Sequence, residues 1–130
     1  MSVRIGIDLV AIDAVAAAID RHSTRYLTRV YSADELVACR DADGAPVPER
    51  LAARFAAKEA VLKVLRQRDE AIPWRDISIS TNRFGAPSIA LSGAARAAAR
   101  QRGVRSFAVS LAHEGPFAAA TVLAEVGEAT

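Results

Sequence analysis

Two acidic residues in separate parts of the chain have the character of ligands for a hard metal ion. Asp8 interrupts an apolar run near the amino terminus, where a buried carboxylate needs a cation or several hydrogen bonds. Glu59 lies in a helical segment about fifty residues later. Two carboxylates from separate elements, completed by water and substrate phosphates, suit Mg²⁺, and no His/Cys cluster favours a softer metal. The pattern favours phosphate chemistry, with His113 at the end of another apolar run as a further candidate.

The segment of residues 54–63 predicts a helix with charges where core side chains are expected. Lys58 falls within the apolar stripe formed at helical spacing by Leu51, Phe55, Leu62 and Leu65. A buried ammonium costs several kcal/mol unless it is paired, so the pattern predicts a partner for Lys58, either a ligand or a core carboxylate. Lys58 and Lys63 are the only two lysines among 17 basic residues. A simpler alternative is a Glu59–Lys63 surface pair worth ~0.3–0.5 kcal/mol.

Length and composition predict one domain spanning residues 1–130, because 52% hydrophobic residues are ample for a single core. The amino terminus lacks the pattern of a signal peptide and no run is long enough for a membrane span, so we expect a cytoplasmic protein without membrane partners. The lone Cys39 excludes an internal disulfide and a multi-cysteine zinc site. A net charge of +2, without a basic stripe interleaved with aromatics, argues against a nucleic-acid partner.

The elements that must position these residues belong to an α+β fold. Ser32 and Glu35 form a capping box that opens a short helix toward Arg40. The predicted elements are a buried strand at residues 3–10, helices at 11–21, 33–40 and 48–66, a hairpin of strands 73–82 and 88–91, a helix from 92 or 93 to before 103, and strands at 107–113 and 117–126. This order, β-α-α-α-β-β-α-β-β, suggests a βαββ unit that occurs twice.

Three motifs resemble one known family over essentially the whole chain. They are Gly6-Ile7-Asp8-Leu9-Val10, Arg54-Phe55-Ala56-Ala57-Lys58-Glu59-Ala60-Val61-Leu62-Lys63 and Val109-Ser110-Leu111-Ala112-His113-Glu114. Together they resemble the holo-[acyl-carrier-protein] synthases, the small bacterial type of 4′-phosphopantetheinyl transferase. The turn Asn82-Arg83-Phe84-Gly85-Ala86-Pro87 also resembles the family's Asn-x-x-Gly-x-Pro turn.

The resemblance implies an activity and roles for the residues. Enzymes of this family move 4′-phosphopantetheine from coenzyme A to a serine of an apo acyl carrier protein, release adenosine 3′,5′-bisphosphate and serve fatty-acid synthesis. By resemblance, Asp8 and Glu59 hold Mg²⁺, Glu59 is the candidate base, directly or through a water, and Lys63 neutralises the diphosphate. The implied coenzyme A contacts, besides Lys63, are made by Arg54, Lys58, Gly85, Pro87 and His113.

The resemblance also implies partners. Family members are typically homotrimers that share active sites between neighbouring chains and dock acidic carriers near the first helix. In this chain Ala11 and Ala14 replace residues of the family pattern, but a basic cluster of Arg21, Arg25 and Arg29 follows. The family's Gly-Thr-Gly after the second motif is replaced by residues 65–69, and residues 40–49 do not match the family.

Two other functions remain open from the sequence. The same reaction on a carrier domain of a polyketide or peptide synthase uses the same residues, because carrier choice depends on the surface around Arg21, Arg25 and Arg29. An inert coenzyme A-binding module with this fold is the alternative of another class. The presence of Asp8, Glu59 and Lys63 together argues against it, because an inert module does not need costly buried charges.

Overall fold

The structure confirms the α+β class. A computed structural model describes residues 2–65 and 71–127. Its elements are β1 (Ser2–Ala11), α1 (Ile12–His22), α2 (Thr24–Val30), α3 (Ala33–Ala38), α4 (Pro48–Leu65), a 3₁₀ helix (Trp74–Asp76), β2 (Ile77–Thr81), β3 (Pro87–Leu91), α5 (Gly93–Gln101), β4 (Val104–Glu114) and β5 (Phe117–Val126). The predicted strand at residues 73–82 is shorter because its start forms the 3₁₀ helix. The family departure at residues 66–69 lies outside the described residues.

The helix α2 was not predicted. Ser23 has a positive φ of 45°, which ends α1 and lets the chain start a second short helix at Thr24. Among the described residues, four α-helices therefore precede the first hairpin, where the sequence predicts three. Within the described residues, no helix combines the length and hydropathy of a membrane span.

The strands form two antiparallel sheets. One has the order β1-β5-β4, and the other is the hairpin β2-β3. A helix followed by a hairpin occurs twice, but β1 joins only the second hairpin, so the two halves are not equivalent. The predicted doubled βαββ unit is thus only partly present.

The long helix α4 packs on the inner face of the three-stranded sheet. It presents small buried residues, including Ala52, Ala56 and Ala60, and the facing positions of β5 are also small. Small side chains on both surfaces permit a close approach of helix and sheet. Leu51, Val61 and Leu65 complete the apolar contact, so the predicted core helix is confirmed.

The outer face of β1 corrects one expectation. The apolar run at residues 3–10 predicts a buried strand. In the structure Val3, Ile5, Ile7 and Leu9 are 54–67% exposed, because α4 covers only the other face of the sheet. The strand therefore presents an apolar row that the residues described by the structure leave exposed.

The capping box of α3 is present and has a second role. Ser32 Oγ accepts a hydrogen bond from the Glu35 backbone N–H at 3.2 Å, and Glu35 Oε1 accepts one from the Ser32 N–H at 2.8 Å. Glu35 is 1% exposed, unlike most capping carboxylates, which lie at the surface. A buried carboxylate needs a cation, and α4 supplies it.

Candidate active site

Asp8 and Lys63 form an ion pair between β1 and α4. Gly6 lets these elements approach, because a Cβ at this position would overlap the carbonyl oxygen of Ala60. Asp8 follows two residues later on the same face of the strand. Its Oδ1 accepts a hydrogen bond from Lys63 Nζ at 2.9 Å, and Nζ also donates to the Ile7 carbonyl oxygen at 2.9 Å. The sequence predicts that this carboxylate needs a cation or several hydrogen bonds, and Lys63 supplies a cation that was not predicted.

Glu59 lies one helical turn before Lys63 and is half-buried. Its Oε1 accepts a hydrogen bond from Trp74 Nε1 at 2.7 Å. The alternative Glu59–Lys63 surface pair is not formed, because the Lys63 ammonium binds Asp8 instead. The packing of α4 on β1 thus brings Asp8, Glu59 and Lys63 into one region, while the indole fixes one oxygen of Glu59.

The donor set of this region fits a hard divalent cation. Asp8 Oδ2 and Glu59 Oε2 make no hydrogen bond to the residues that the structure describes. Within these residues no group of three or more His, Cys, Asp or Glu side chains could hold a metal. Two carboxylates that leave most positions to water and phosphate oxygens are the usual protein contribution to a Mg²⁺ site. The residues present therefore fit Mg²⁺ better than zinc or another softer metal.

Lys58 is directed into the core. Its side chain is fully buried and its Nζ donates to Glu35 Oε1 at 2.6 Å, to the Trp74 carbonyl oxygen at 3.1 Å and to the Ile77 carbonyl oxygen. An ammonium has three protons, so all of its donors are used. Burial lowers the pKa of Lys58, and the attraction of Glu35 opposes this shift.

These contacts correct the coenzyme A assignment of Lys58. Its partner is the core carboxylate of Glu35, which was the other alternative from the sequence, and no proton remains for a phosphate. Arg54 is also buried, with its Nε donating to the Ile79 carbonyl oxygen at 3.2 Å and its Nη1 to the Arg50 carbonyl oxygen at 3.4 Å. Part of the Arg54 guanidinium is thus engaged in holding β2 against α4.

His113 lies on the same sheet face as Asp8 but apart from it. Asp8 on β1 is opposite Ala120 of β5, and His113 on β4 is opposite Ala118 of the same central strand. Two strand spacings and two residues separate them, so their Cα atoms are roughly 12 Å apart. The exposed imidazole of His113 is therefore not a direct partner of the Asp8 carboxylate within one chain.

Gly85 and Pro87 shape the turn of the β2-β3 hairpin. Gly85 has a φ of +81°, which favours glycine, and Pro87 begins β3 opposite Thr81. Asn82 Oδ1 closes the turn by accepting hydrogen bonds from the N–H groups of Phe84, at 2.9 Å, and Ala86, at 3.0 Å. No hydrogen bond or ion pair joins this turn to the Asp8 region among the described residues.

Comparisons with known proteins agree with this architecture. The family model described as the 4′-phosphopantetheinyl transferase superfamily matches residues 4–121. The chain belongs to this superfamily. Two relatives named holo-[acyl-carrier-protein] synthase support this: that of Moorella thermoacetica is 42% identical, covering 92% of this chain and 91% of its own, and that of Desulforudis audaxviator is 39% identical, covering 95% and 93%.

A solved transferase structure extends the likeness to three dimensions. The crystal structure of the Helicobacter pylori holo-[acyl-carrier-protein] synthase in complex with coenzyme A is 31% identical, with a TM-score of 0.80. The match covers 94% of this chain and 100% of that chain. The fold that positions Asp8, Glu59 and Lys63 is thus the fold of a phosphopantetheinyl transferase.

The basic cluster of this transferase lies along α1 and α2. Arg21, Arg25 and Arg29 are exposed. Arg25 and Arg29 line a cavity of about 270 Å³ with His22 and Tyr26. Arg29 also lines a second cavity, of about 480 Å³, with Leu62, Ala71, Ile72, Pro73 and Trp74. Because Trp74 binds Glu59, this surface leads from the arginines toward the candidate metal ligands.

Sequence reasoning missed Trp74 and the role of Glu35. Trp74 is the only tryptophan of the chain, but its distance of 15 residues from Glu59 leaves no local pattern that predicts the contact. Glu35 was assigned only to a helix cap. The buried position of Lys58 signals that a carboxylate partner exists, but not which one.

Proposed function

We propose that this transferase moves 4′-phosphopantetheine from coenzyme A to a serine of apo acyl carrier protein and releases adenosine 3′,5′-bisphosphate. The observation that supports the proposal is the Asp8–Lys63 ion pair where α4 crosses β1, with Glu59 one helical turn before Lys63. Two carboxylates and an ammonium in one region suit the transfer of a phosphoryl group from a diphosphate. The relatives named holo-[acyl-carrier-protein] synthase and the coenzyme A complex of one of them support the same activity.

Mg²⁺ is the proposed cofactor, and Asp8 and Glu59 would hold it through the oxygens that are not engaged by Lys63 and Trp74. When bound, Mg²⁺ supplies Lewis-acid polarisation of the phosphoryl oxygens and fixes their orientation. Coenzyme A is the substrate. The protein therefore contributes mainly position and charge, as is usual in phosphoryl transfer.

The proposed step forms one P–O bond and breaks another. Glu59 accepts the proton of the carrier serine hydroxyl, directly or through one water. The serine oxygen bonds to the phosphorus that carries pantetheine, and the bond from this phosphorus to the bridging oxygen breaks. The electron pair leaves with adenosine 3′,5′-bisphosphate, and Lys63 stabilises the negative charge on the departing phosphate.

A homotrimer is the proposed assembly, with sites completed by neighbouring chains. The apolar row of β1, formed by Val3, Ile5, Ile7 and Leu9, supports burial against another copy. The separation of His113 from Asp8 also supports a shared site, because one chain does not bring them together. Contacts of Arg54, Gly85, Pro87 and His113 with coenzyme A stay predictions, as does the cytoplasmic location of a single-domain enzyme.

The proposed carrier-docking surface consists of Arg21, Arg25 and Arg29. If acidic carriers bind there, the carrier KM rises steeply with salt, because exposed charges are screened over about 8–10 Å at physiological ionic strength. Arg25→Glu should raise the carrier KM several-fold and leave the coenzyme A KM unchanged. Arg96→Glu, an equal charge reversal at an exposed site on α5, is the control. An unchanged carrier KM in Arg21→Glu and Arg25→Glu would place docking elsewhere.

The test of the proposed function is intact-mass analysis of an apo carrier after incubation with the protein, coenzyme A and Mg²⁺. We expect a phosphopantetheine adduct that disappears with EDTA and returns with Mg²⁺. The carrier series includes acyl carrier protein and carrier domains of polyketide and peptide synthases, so the preferred acceptor is identified. Coenzyme A binding without an adduct on any carrier would favour the inert module.

A further inference from the structure

Trp74 joins the candidate catalytic carboxylate to the core of the protein. Its indole Nε1 donates to Glu59 Oε1 at 2.7 Å, a short hydrogen bond to a charged acceptor. Its ring packs against Phe55, one helical turn before Glu59, with centroids 5.9 Å apart and planes inclined by 47°. The indole is therefore held by packing on α4 while its N–H group points at the Glu59 carboxylate.

The backbone of Trp74 is fixed independently of the indole. Its carbonyl oxygen accepts a hydrogen bond from Lys58 Nζ at 3.1 Å, and the same ammonium pairs with Glu35 at 2.6 Å. Glu35 Oε2 in turn accepts the N–H of Ile79 in β2 at 3.0 Å. The fully buried Glu35–Lys58 pair thus anchors the 3₁₀ helix from which the indole reaches Glu59.

We propose that Trp74 is a positioning residue for Glu59, anchored by the Lys58–Glu35 pair. It occupies Glu59 Oε1 and so directs Oε2 toward the cation and the serine. The proposal rests on the proposed function, in which Glu59 is a Mg²⁺ ligand and base. The physical reason is that a glutamate on a helix has several free torsions, and a donor in the surrounding shell reduces them to the productive orientation.

Trp74→Phe tests the proposal because it removes the N–H donor and keeps an aromatic ring, although a smaller one, against Phe55. We expect kcat to fall about tenfold and the Mg²⁺ dissociation constant to rise about tenfold, the lower end of the effect of losing a partner of a metal ligand. The coenzyme A KM should change less than twofold. Phe55→Leu is the matched control, since it alters the same packing but keeps the N–H donor, and it should retain the Mg²⁺ affinity.

A second measurement leaves Trp74 itself unchanged. Trp74 is the only tryptophan, so the emission of the unmodified protein reports on this residue alone. Titration with Mg²⁺ at saturating coenzyme A should change the emission at the concentrations that support transfer. The change should be lost in Glu59→Gln and retained in Lys63→Met. If the enzyme is active but its Trp74 emission does not change with Mg²⁺ concentration, the proposal is wrong.

The two hypotheses fail in different ways. If the unmodified protein transfers no phosphopantetheine to any carrier, the proposed function fails. If it is active, and folded Trp74→Phe has the same kcat and Mg²⁺ affinity, the positioning role is wrong while the function stands. Equal losses of Mg²⁺ affinity in Trp74→Phe and Phe55→Leu would also overturn it, because packing alone would then explain the effect.

Discussion

Helix α4 carries two lysine–carboxylate pairs that differ in their surroundings. The side chains of Lys58 and Glu35 are both 0% exposed, and the lysine uses all three protons inside the protein. Lys63 and Asp8 have exposures of 55% and 20%, with the pair at the margin of the sheet. The two lysines are five residues apart, which places them on different sides of the helix. One pair is part of the core, and the other is accessible to a ligand.

The difference shows that burial decides which charge is available for chemistry. Removing one partner of a buried pair leaves an uncompensated charge and typically costs about 3–5 kcal/mol. An exposed pair contributes about 0–1 kcal/mol, so Lys63 can change partners at little cost to stability. We infer that Lys58 and Glu35 maintain the frame, while Asp8, Glu59 and Lys63 carry the reaction.

Loss of the buried pair should produce the largest decrease in stability. Glu35→Gln removes the carboxylate that compensates Lys58, and we expect the free energy of unfolding to fall by about 3 kcal/mol. Asp34→Asn removes the same charge from the neighbouring, exposed position of α3 and should cost less than about 1 kcal/mol. Chemical denaturation of both variants makes the comparison. Equal losses would show that the buried pair adds nothing to stability.

Substitution of the accessible carboxylates should instead lower the transfer rate and leave stability nearly unchanged. Asp8→Asn and Glu59→Gln each remove the negative charge of one proposed metal ligand, and we expect transfer to fall by about 10²-fold or more with little change in unfolding free energy. Initial rates over a range of Mg²⁺ concentrations provide the measurement. A near-normal rate at limiting Mg²⁺ in either variant would refute its assignment as a ligand.

Lys63→Arg keeps the positive charge and therefore tests whether the shape of the Lys63 side chain matters as well as its charge. A planar guanidinium does not replace a compact ammonium beside Asp8 and a diphosphate without displacing neighbours. We expect kcat to fall about tenfold and the coenzyme A KM to change less, as for a contact made mainly in the transition state. If both parameters match those of the unmodified enzyme, Lys63 is only a surface partner of Asp8.

Local sequence patterns were sufficient to predict most of the helices and strands and to select residues for the candidate site. The apolar stripe of α4 predicts the burial of Leu51 and Leu65, whereas Phe55 and Leu62 are only partly buried. The lysine within that stripe predicts that it has a partner. The alternation of β2 and the turn residues of its hairpin predict their pairing. Asp8 and Glu59 stand out because carboxylates interrupt apolar segments, and the resemblance that covers the chain adds the prediction that they hold one metal ion together.

Contacts between distant segments escaped prediction for a physical reason. Glu35 reaches Lys58 across 23 residues, and a capping box gives no sign that its carboxylate will be buried. The hydrogen bond from Trp74 to Glu59 depends on where the 3₁₀ helix packs. The apolar outer face of β1 looks like part of a core strand in sequence, because apolar side chains alone do not show whether the rest of the chain covers them.

The different roles of the two lysines, one in stability and one in transfer, are tested by comparing Lys58→Met with Lys63→Met. Both substitutions replace an ammonium on α4 with an apolar side chain of similar length. We predict that Lys58→Met lowers the free energy of unfolding by about 3 kcal/mol. Lys63→Met should change stability by less than about 1 kcal/mol but reduce kcat by about 10²-fold. If Lys58→Met is as stable as the unmodified protein and Lys63→Met is fully active, the two lysines do not have these different roles.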